Sequence, residues 1–123
     1  MIKLIDCPRD AMQGIHHFIP TATKTAYIQQ LLECGFNTLD FGSFVSPKAI
    51  PQMRDTAEVL AGLDLSTTNT ELLAIVANRR GAENALSHQE IEYLGYHFSI
   101  SETFQLLNSN ATLAESVELV AHI

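Results

Sequence analysis

Arg9 and Asp10 sit side by side just after the apolar run Ile2-Lys3-Leu4-Ile5-Asp6-Cys7 and Pro8. A carboxylate next to a guanidinium suits a divalent-metal ligand beside an oxyanion clamp. On residue types alone, an ion pair in a turn accounts for the same two residues. Two further apolar runs end in polar groups, at Asp40-Phe41-Gly42-Ser43 and at Ser99-Ile100-Ser101-Glu102. In parallel α/β folds, reactive groups collect at the carboxyl ends of strands. The five histidines, His16, His17, His88, His97 and His122, contain no H-x-H pair. Adjacent His16 and His17 point to opposite sides of an extended chain, so one ligand at most comes from them. Cys7 and Cys34 are far apart with no C-x-x-C, which reads as two reduced, partly buried thiols rather than a bridge. Arg79-Arg80 reads first as a solvated helix start and second as a phosphate contact.

The segments that must position these groups alternate in type. Strands are expected near Lys3–Cys7, Thr38–Phe41, Leu72–Val76 and Tyr93–Ser99. A loop follows the first through Pro20. Thr21 is expected to cap a helix with Tyr27, Ile28, Leu31 and Leu32 on one face and Gly35 at its end. Pro47 opens a second helical stretch to Gly62, carrying Ile50, Met53, Ala57 and Leu60, with a first turn that Pro51 makes irregular or separate. A short helix is expected from Arg80 to about Ser87. The last opens at Thr112, where Glu115 completes a capping-box pattern. Its pattern stays helical to Ile123 without a Gly or Pro stop, which reads as a chain that continues.

Four βα units of about 30 residues imply a parallel sheet with right-handed crossovers. Two architectures fit: a small doubly wound sheet, or half of an eight-stranded (β/α)₈ barrel of about 250 residues. The unfinished last helix favours the half-barrel, with strand order 1-2-3-4 and residues 1–123 as one domain.

Composition limits the partners. The chain has 123 residues, 46 % of them hydrophobic and 17 % charged, the profile of a globular protein. Its 7 basic and 14 acidic residues give a net charge of −7, which argues against nucleic-acid binding. The apolar runs are too short to span a membrane, and no signal-peptide core is visible, so a cytoplasmic location is expected.

Two motifs add a resemblance. Pro8-Arg9-Asp10-Ala11-Met12-Gln13 is similar to the P-R-D-G-L-Q segment of hydroxymethylglutaryl-CoA lyases. Ser43-Phe44-Val45-Ser46-Pro47-Lys48-Ala49-Ile50-Pro51-Gln52-Met53, followed by Asp55, closely resembles that family's longer S-F-V-S-P-K-x-x-P-Q-M-x-D run. Ile100 to Phe104, with Asn108 and Asn110, resembles the segment after its fourth strand. The register holds along the whole chain but matches less than half of a family member. The resemblance implies a (β/α)₈ barrel that cleaves an acyl-CoA, hydroxymethylglutaryl-CoA, to acetyl-CoA and acetoacetate with a divalent cation, Mg²⁺ or Mn²⁺. It implies Asp10 as metal ligand and Arg9 as the catalytic group that stabilises the enolate. Gln13, Asp40 and Ser43 are implied on the substrate side, Asp40 standing where the family has Glu and helping to fix Arg9.

This sequence departs from the family elsewhere. Ala11 and Met12 replace Gly and Leu, and Leu106-Leu107 replace two lysines. The family's later H-x-H pair, Asn and loop Cys have no counterpart here. The chain therefore reads as a fragment of such a lyase, inactive by itself. Related isopropylmalate or homocitrate synthases share mainly the first motif. A non-catalytic half-barrel that binds a partner or a second copy of itself is the third reading.

Overall fold

The computed structural model describes residues 2–123. Four parallel strands form one sheet in the order β1-β2-β3-β4: β1 Ile5–Asp6, β2 Thr38–Ser43, β3 Glu71–Val76 and β4 Ile91–Tyr96. That is the order expected for a barrel segment, and it excludes the rearranged order of a doubly wound sheet.

The core lies between the sheet and the helices that follow its first two strands. Leu39 and Phe41 of β2 and Leu72 and Ala74 of β3 are buried against α2 (Thr21–Glu33) and α3 (Thr56–Ala61). The helices contribute Ile28, Leu32, Val59 and Leu60. In α2 the expected face buries Ile28 and Leu32 and packs Leu31 on the core, but Tyr27 is exposed and Lys24, one turn before Ile28, is buried. A smaller cluster packs Val76 against Ala82 and Ala85 of α4 (Arg79–Leu86).

β2 carries the bend that matters for the site. Asp40 pairs with Leu73 but Gly42 pairs with Ala74, so Phe41 is an extra residue in the strand. A bulge breaks strict alternation and turns two consecutive residues toward the same side. Phe41 enters the core, and Gly42 also lies against α3, where a Cβ would collide with the Thr56 methyl. Asp40, between the core residues Leu39 and Phe41, faces the opposite side by ordinary alternation, and the bulge turns Ser43 toward that side as well.

Several expected elements are corrected. Arg9 and Asp10 are not in a strand end or loop. They lie in helix α1 (Pro8–Gln13), which begins directly after β1. Pro8 explains it, because at the first helical position its fixed φ favours the helix and its missing N–H costs nothing. Thr21 does not cap α2. Pro20 precedes the helix, and the Thr21 hydroxyl instead donates to Asp55 Oδ2 at 2.7 Å. The stretch from Pro47 is broken where Pro51 was expected to make its first turn separate: a turn, a 3₁₀ turn at Pro51–Met53, then α3. Pro51 holds Ile50 extended, at φ −129° and ψ 80°, and so breaks the helical path. β4 stops at Tyr96 rather than Ser99, and helix α5 (Glu102–Ser109) follows where none was expected. With Leu106 and Leu107 exposed and only Gln105 buried, α5 has no apolar face to read. Ser101 caps its start, and Asn110 ends it in the left-handed region at φ 50°.

The last helix, α6 (Leu113–His122), has the predicted capping box between Thr112 and Glu115. Among the described residues, no helix is long and apolar enough to cross a membrane.

Candidate functional site

The short reach from β1 into α1 sets the site. α1 packs on β2 and on the 3₁₀ turn, bringing Arg9 against Asp40, 31 residues away in sequence. The two are buried together. Arg9 Nε donates to both carboxylate oxygens of Asp40, at 3.1 and 3.2 Å, and Nη2 donates to Oδ2 at 2.6 Å. The shorter side chain of Asp therefore spans the gap. The third nitrogen, Nη1, donates to Asp10 Oδ1 at 3.1 Å and to Gln13 Oε1 at 3.0 Å. Gln13 Nε2 closes the ring by donating to the same Asp10 oxygen at 3.0 Å.

This arrangement fixes the charge. Burial alone pulls the Arg9 guanidinium pKa down. Its hydrogen bond to Asp40 and the charges of Asp40 and Asp10 reverse that and leave it above its ordinary value. Arg9 stays cationic, clamped on one edge by Asp40, with Asp10 and Gln13 at the other. Cys7, next to this group, is held above its ordinary pKa by the desolvation its neighbours impose and by the charge of Asp40, against the pull of Arg9. That direction disfavours the thiolate, the nucleophilic form. Both cysteines are free, and both are exposed rather than partly buried as expected.

The remaining candidates separate into two cavities. Gln13 lines a cleft of about 700 Å³ over the ends of β3 and β4, between the 45–50 loop and α5. Apolar side chains such as Ile75 and Phe104 line it, with the Tyr96 hydroxyl buried beside them and unpaired among the described residues. Ser43 lines a different cavity of about 610 Å³, together with Arg54, Arg80 and the start of α4. Its hydroxyl accepts from the Val45 N–H at 3.2 Å. Ser43 is thus not gathered with Gln13 around one opening. Arg79 pairs with Glu83 at 2.9 Å on an exposed helix face, the solvated reading of that residue. His16 and His17 are exposed loop residues.

The long second motif turns out to build a support. Gln52 Oε1 accepts from the Ile19 N–H at 2.9 Å, and Nε2 donates to the carbonyls of Ile15 and His17 at 3.0 and 2.9 Å. Buried Lys24 donates to Asp55 Oδ1 at 2.6 Å and to the Gln52 carbonyl, and lies over the Phe18 ring at 4.1 Å. These bonds pin the loop after α1 to the 3₁₀ turn, so they hold the far end of the helix that carries Arg9. Lys24 escaped the sequence reading because a lysine at a helix's inner position looks solvated until its partner is known.

For a divalent cation the donors are few. Asp10 is largely exposed and offers a carboxylate, but among the described residues no three His, Cys, Asp or Glu side chains converge. Mg²⁺ needs several placed oxygens in octahedral geometry, and Asp10 is a candidate for one of them.

No family model matches the chain. It is 36 % identical over 116 residues to the hydroxymethylglutaryl-CoA lyase YngG of Bacillus subtilis, covering 94 % of this chain and 38 % of that protein. The solved structure of the Bacillus subtilis HMG-CoA lyase superposes with a TM-score of 0.89 at 34 % identity, covering 98 % of this chain and 41 % of that one. An Acinetobacter baumannii HMG-CoA lyase in complex with coenzyme A and 3-methylmalate superposes at 0.88 and 33 % identity, covering 98 % and 40 %. The chain spans about two fifths of the length of the relatives it matches. In sequence and in fold, this chain is similar to an amino-terminal portion of the hydroxymethylglutaryl-CoA lyases, with the first four βα units of their (β/α)₈ barrel.

Proposed function

We propose that this chain supplies one side of the reaction centre of a carbon–carbon lyase that cleaves 3-hydroxy-3-methylglutaryl-CoA to acetyl-CoA and acetoacetate. The reading treats residues 1–123 as one domain, half of the barrel. The observation that carries it is the Arg9 guanidinium, buried and clamped by Asp40 directly after β1, with Asp10 exposed beside it. In the cleavage the 3-hydroxyl gives its proton to a base, the carbon–carbon bond breaks, and its electrons pass to the thioester carbonyl as an enolate, which takes up a proton at carbon to leave as acetyl-CoA. A cation already fixed where that oxygen becomes negative lowers the barrier without reorganising. Arg9 takes this role, Gln13 orients Arg9 and Asp10 at the edge of the cleft, and Asp40 holds Arg9. Ser43 is assigned to the substrate side, through the backbone turn that its hydroxyl fixes at Val45. A divalent cation, Mg²⁺ or Mn²⁺, belongs to the reading with Asp10 as one ligand, and its remaining ligands lie outside this chain.

An acyl-CoA is the substrate class, in line with the coenzyme A bound by the Acinetobacter baumannii relative. The reading includes a cytoplasmic location; relatives described as cytoplasmic and as mitochondrial both match.

The test is release of acetoacetate from 3-hydroxy-3-methylglutaryl-CoA by the protein in its full encoded length. The 123-residue chain assayed alone should show no release above background, because it brings too few metal ligands. Mg²⁺-dependent release from the purified chain would overturn that expectation. Condensation of acetyl-CoA with a 2-oxo acid, in place of cleavage, would move the assignment to a synthase of the same barrel type.

A further inference from the structure

The loop from α1 to α2 hangs on one side chain. Gln52 is buried in the 3₁₀ turn and uses its oxygen and both amide hydrogens on that loop, binding Ile19 N–H and the carbonyls of Ile15 and His17. Among the described residues, no other hydrogen bond reaches the backbone of residues 16–19.

α1 depends on this tether. A helix of six residues has too few turns to hold itself, and the Cys7 side chain does not cap its start. Met12 is buried in the core with Met53, and Asp40 holds Arg9 Nε and Nη2. The other edge of the guanidinium is held differently. Nη1 donates to Gln13, and Gln13 in turn donates to the exposed Asp10. Gln13 is the last residue of α1, two positions before the Ile15 carbonyl that Gln52 fixes from 37 residues away.

We propose that Gln52 is a positioning residue of the reaction centre. By fixing the backbone just past α1, it places Gln13 and so sets the Nη1 edge of Arg9 where the enolate oxygen becomes negative. This rests on the lyase reading of Arg9 and deepens it. The Phe18 ring, with Lys24 at 4.1 Å and Arg54 at 3.8 Å from its centre, secures the same loop through a side chain. Losing the Gln52 bonds therefore loosens the loop backbone without releasing it. A misplacement of about 1 Å in a catalytic group costs on the order of 100-fold in rate.

The experiment uses the protein in its full encoded length, as wild type, Gln52→Met, Arg9→Met and the double variant. Gln52→Met nearly keeps the volume and removes all three bonds. It should lower kcat by about 10–100-fold with KM little changed. In the Arg9→Met background the same change should cost less than about twofold, because no guanidinium is left to misplace. Backbone amide exchange, followed by mass spectrometry, should quicken in Gln52→Met across α1 as well as in residues 15–19. Should Gln52→Met fail to fold, Gln52→Glu keeps the acceptor for Ile19 and removes only the two donated bonds, with the same expected losses. If Arg9→Met lowers kcat while Gln52→Met does not, or if the two losses multiply, the proposal is overturned and the reading of Arg9 stands. If Arg9→Met keeps its kcat, the reading of Arg9 fails and takes the proposal with it. Faster exchange confined to residues 15–19, with α1 unchanged, would overturn the tether whatever the kinetics show.

Discussion

Replacing Asp40 with Ala should destabilise the chain by about 3–5 kcal/mol, the cost of stripping a buried charge of its partner. Among the described residues, Arg9 has no other buried counter-charge. Its Nε and Nη2 bonds both end on Asp40, and the remaining carboxylate, Asp10, is exposed and engages only Nη1. The buried guanidinium cannot escape by losing its proton, because its ordinary pKa is already far above neutrality. Removing both charges together, as Arg9→Met with Asp40→Leu, should cost clearly less than the sum of the two single changes. The measurement is urea unfolding of the four proteins at one fixed concentration, since an associating chain gains stability with concentration. A loss under about 1 kcal/mol for Asp40→Ala would show the pair to be open to water.

In the complete lyase of the proposed function, Arg9→Met should lower kcat by about 10²–10³, with KM little changed. Losing one well-placed oxyanion donor costs about 3–4 kcal/mol. That loss falls on kcat when the interaction strengthens only as the enolate oxygen becomes negative. The clamp makes this expectation sharper. Asp40 fixes two of the three guanidinium nitrogens before substrate arrives, so the cation needs no rearrangement to meet the developing charge. Arg9→Met alone leaves Asp40 buried without its partner, so the Arg9→Met, Asp40→Asn double variant serves as the folding control. Steady-state kinetics across a Mn²⁺ titration separates the roles of neighbours. Asp10→Asn should recover part of its loss at high metal, whereas Arg9→Met should not. If Arg9→Met kept its kcat and raised only KM, Arg9 would be a substrate anchor instead of an enolate stabiliser.

The four strands were readable because each apolar run is short, bounded by Gly, Pro or polar residues, and separated by helical spacing. Their order was not, since the same pattern fits a doubly wound sheet, and the family register and the helical chain end favoured 1-2-3-4. Local pattern also set the capping box of α6 and the break at Pro51, both of which depend on residues within a few positions of one another. Where a segment had no apolar face, as in α5, the periodic signal was missing and the helix went unread. The first turn of α1 was misassigned for a related reason. A helix of six residues is too short to show a period, and Pro8 marks the end of a strand and the start of a helix equally well.

The site divides in the same way. Sequence determined which residue types were available: a guanidinium and carboxylate at Arg9-Asp10, a second carboxylate at Asp40, and a long motif around Gln52. Only the tertiary structure decided that Asp40 and Arg9 are buried face to face, that Ser43 opens on another cavity, and that Gln52, Lys24 and Asp55 brace the loop behind α1. Each of these depends on groups about 30 residues apart and on which side of β2 a residue faces. The bulge at Phe41 resets that side for Gly42 and Ser43 by inserting one residue into the pairing with β3, and an insertion of that kind leaves no mark in the local alternation.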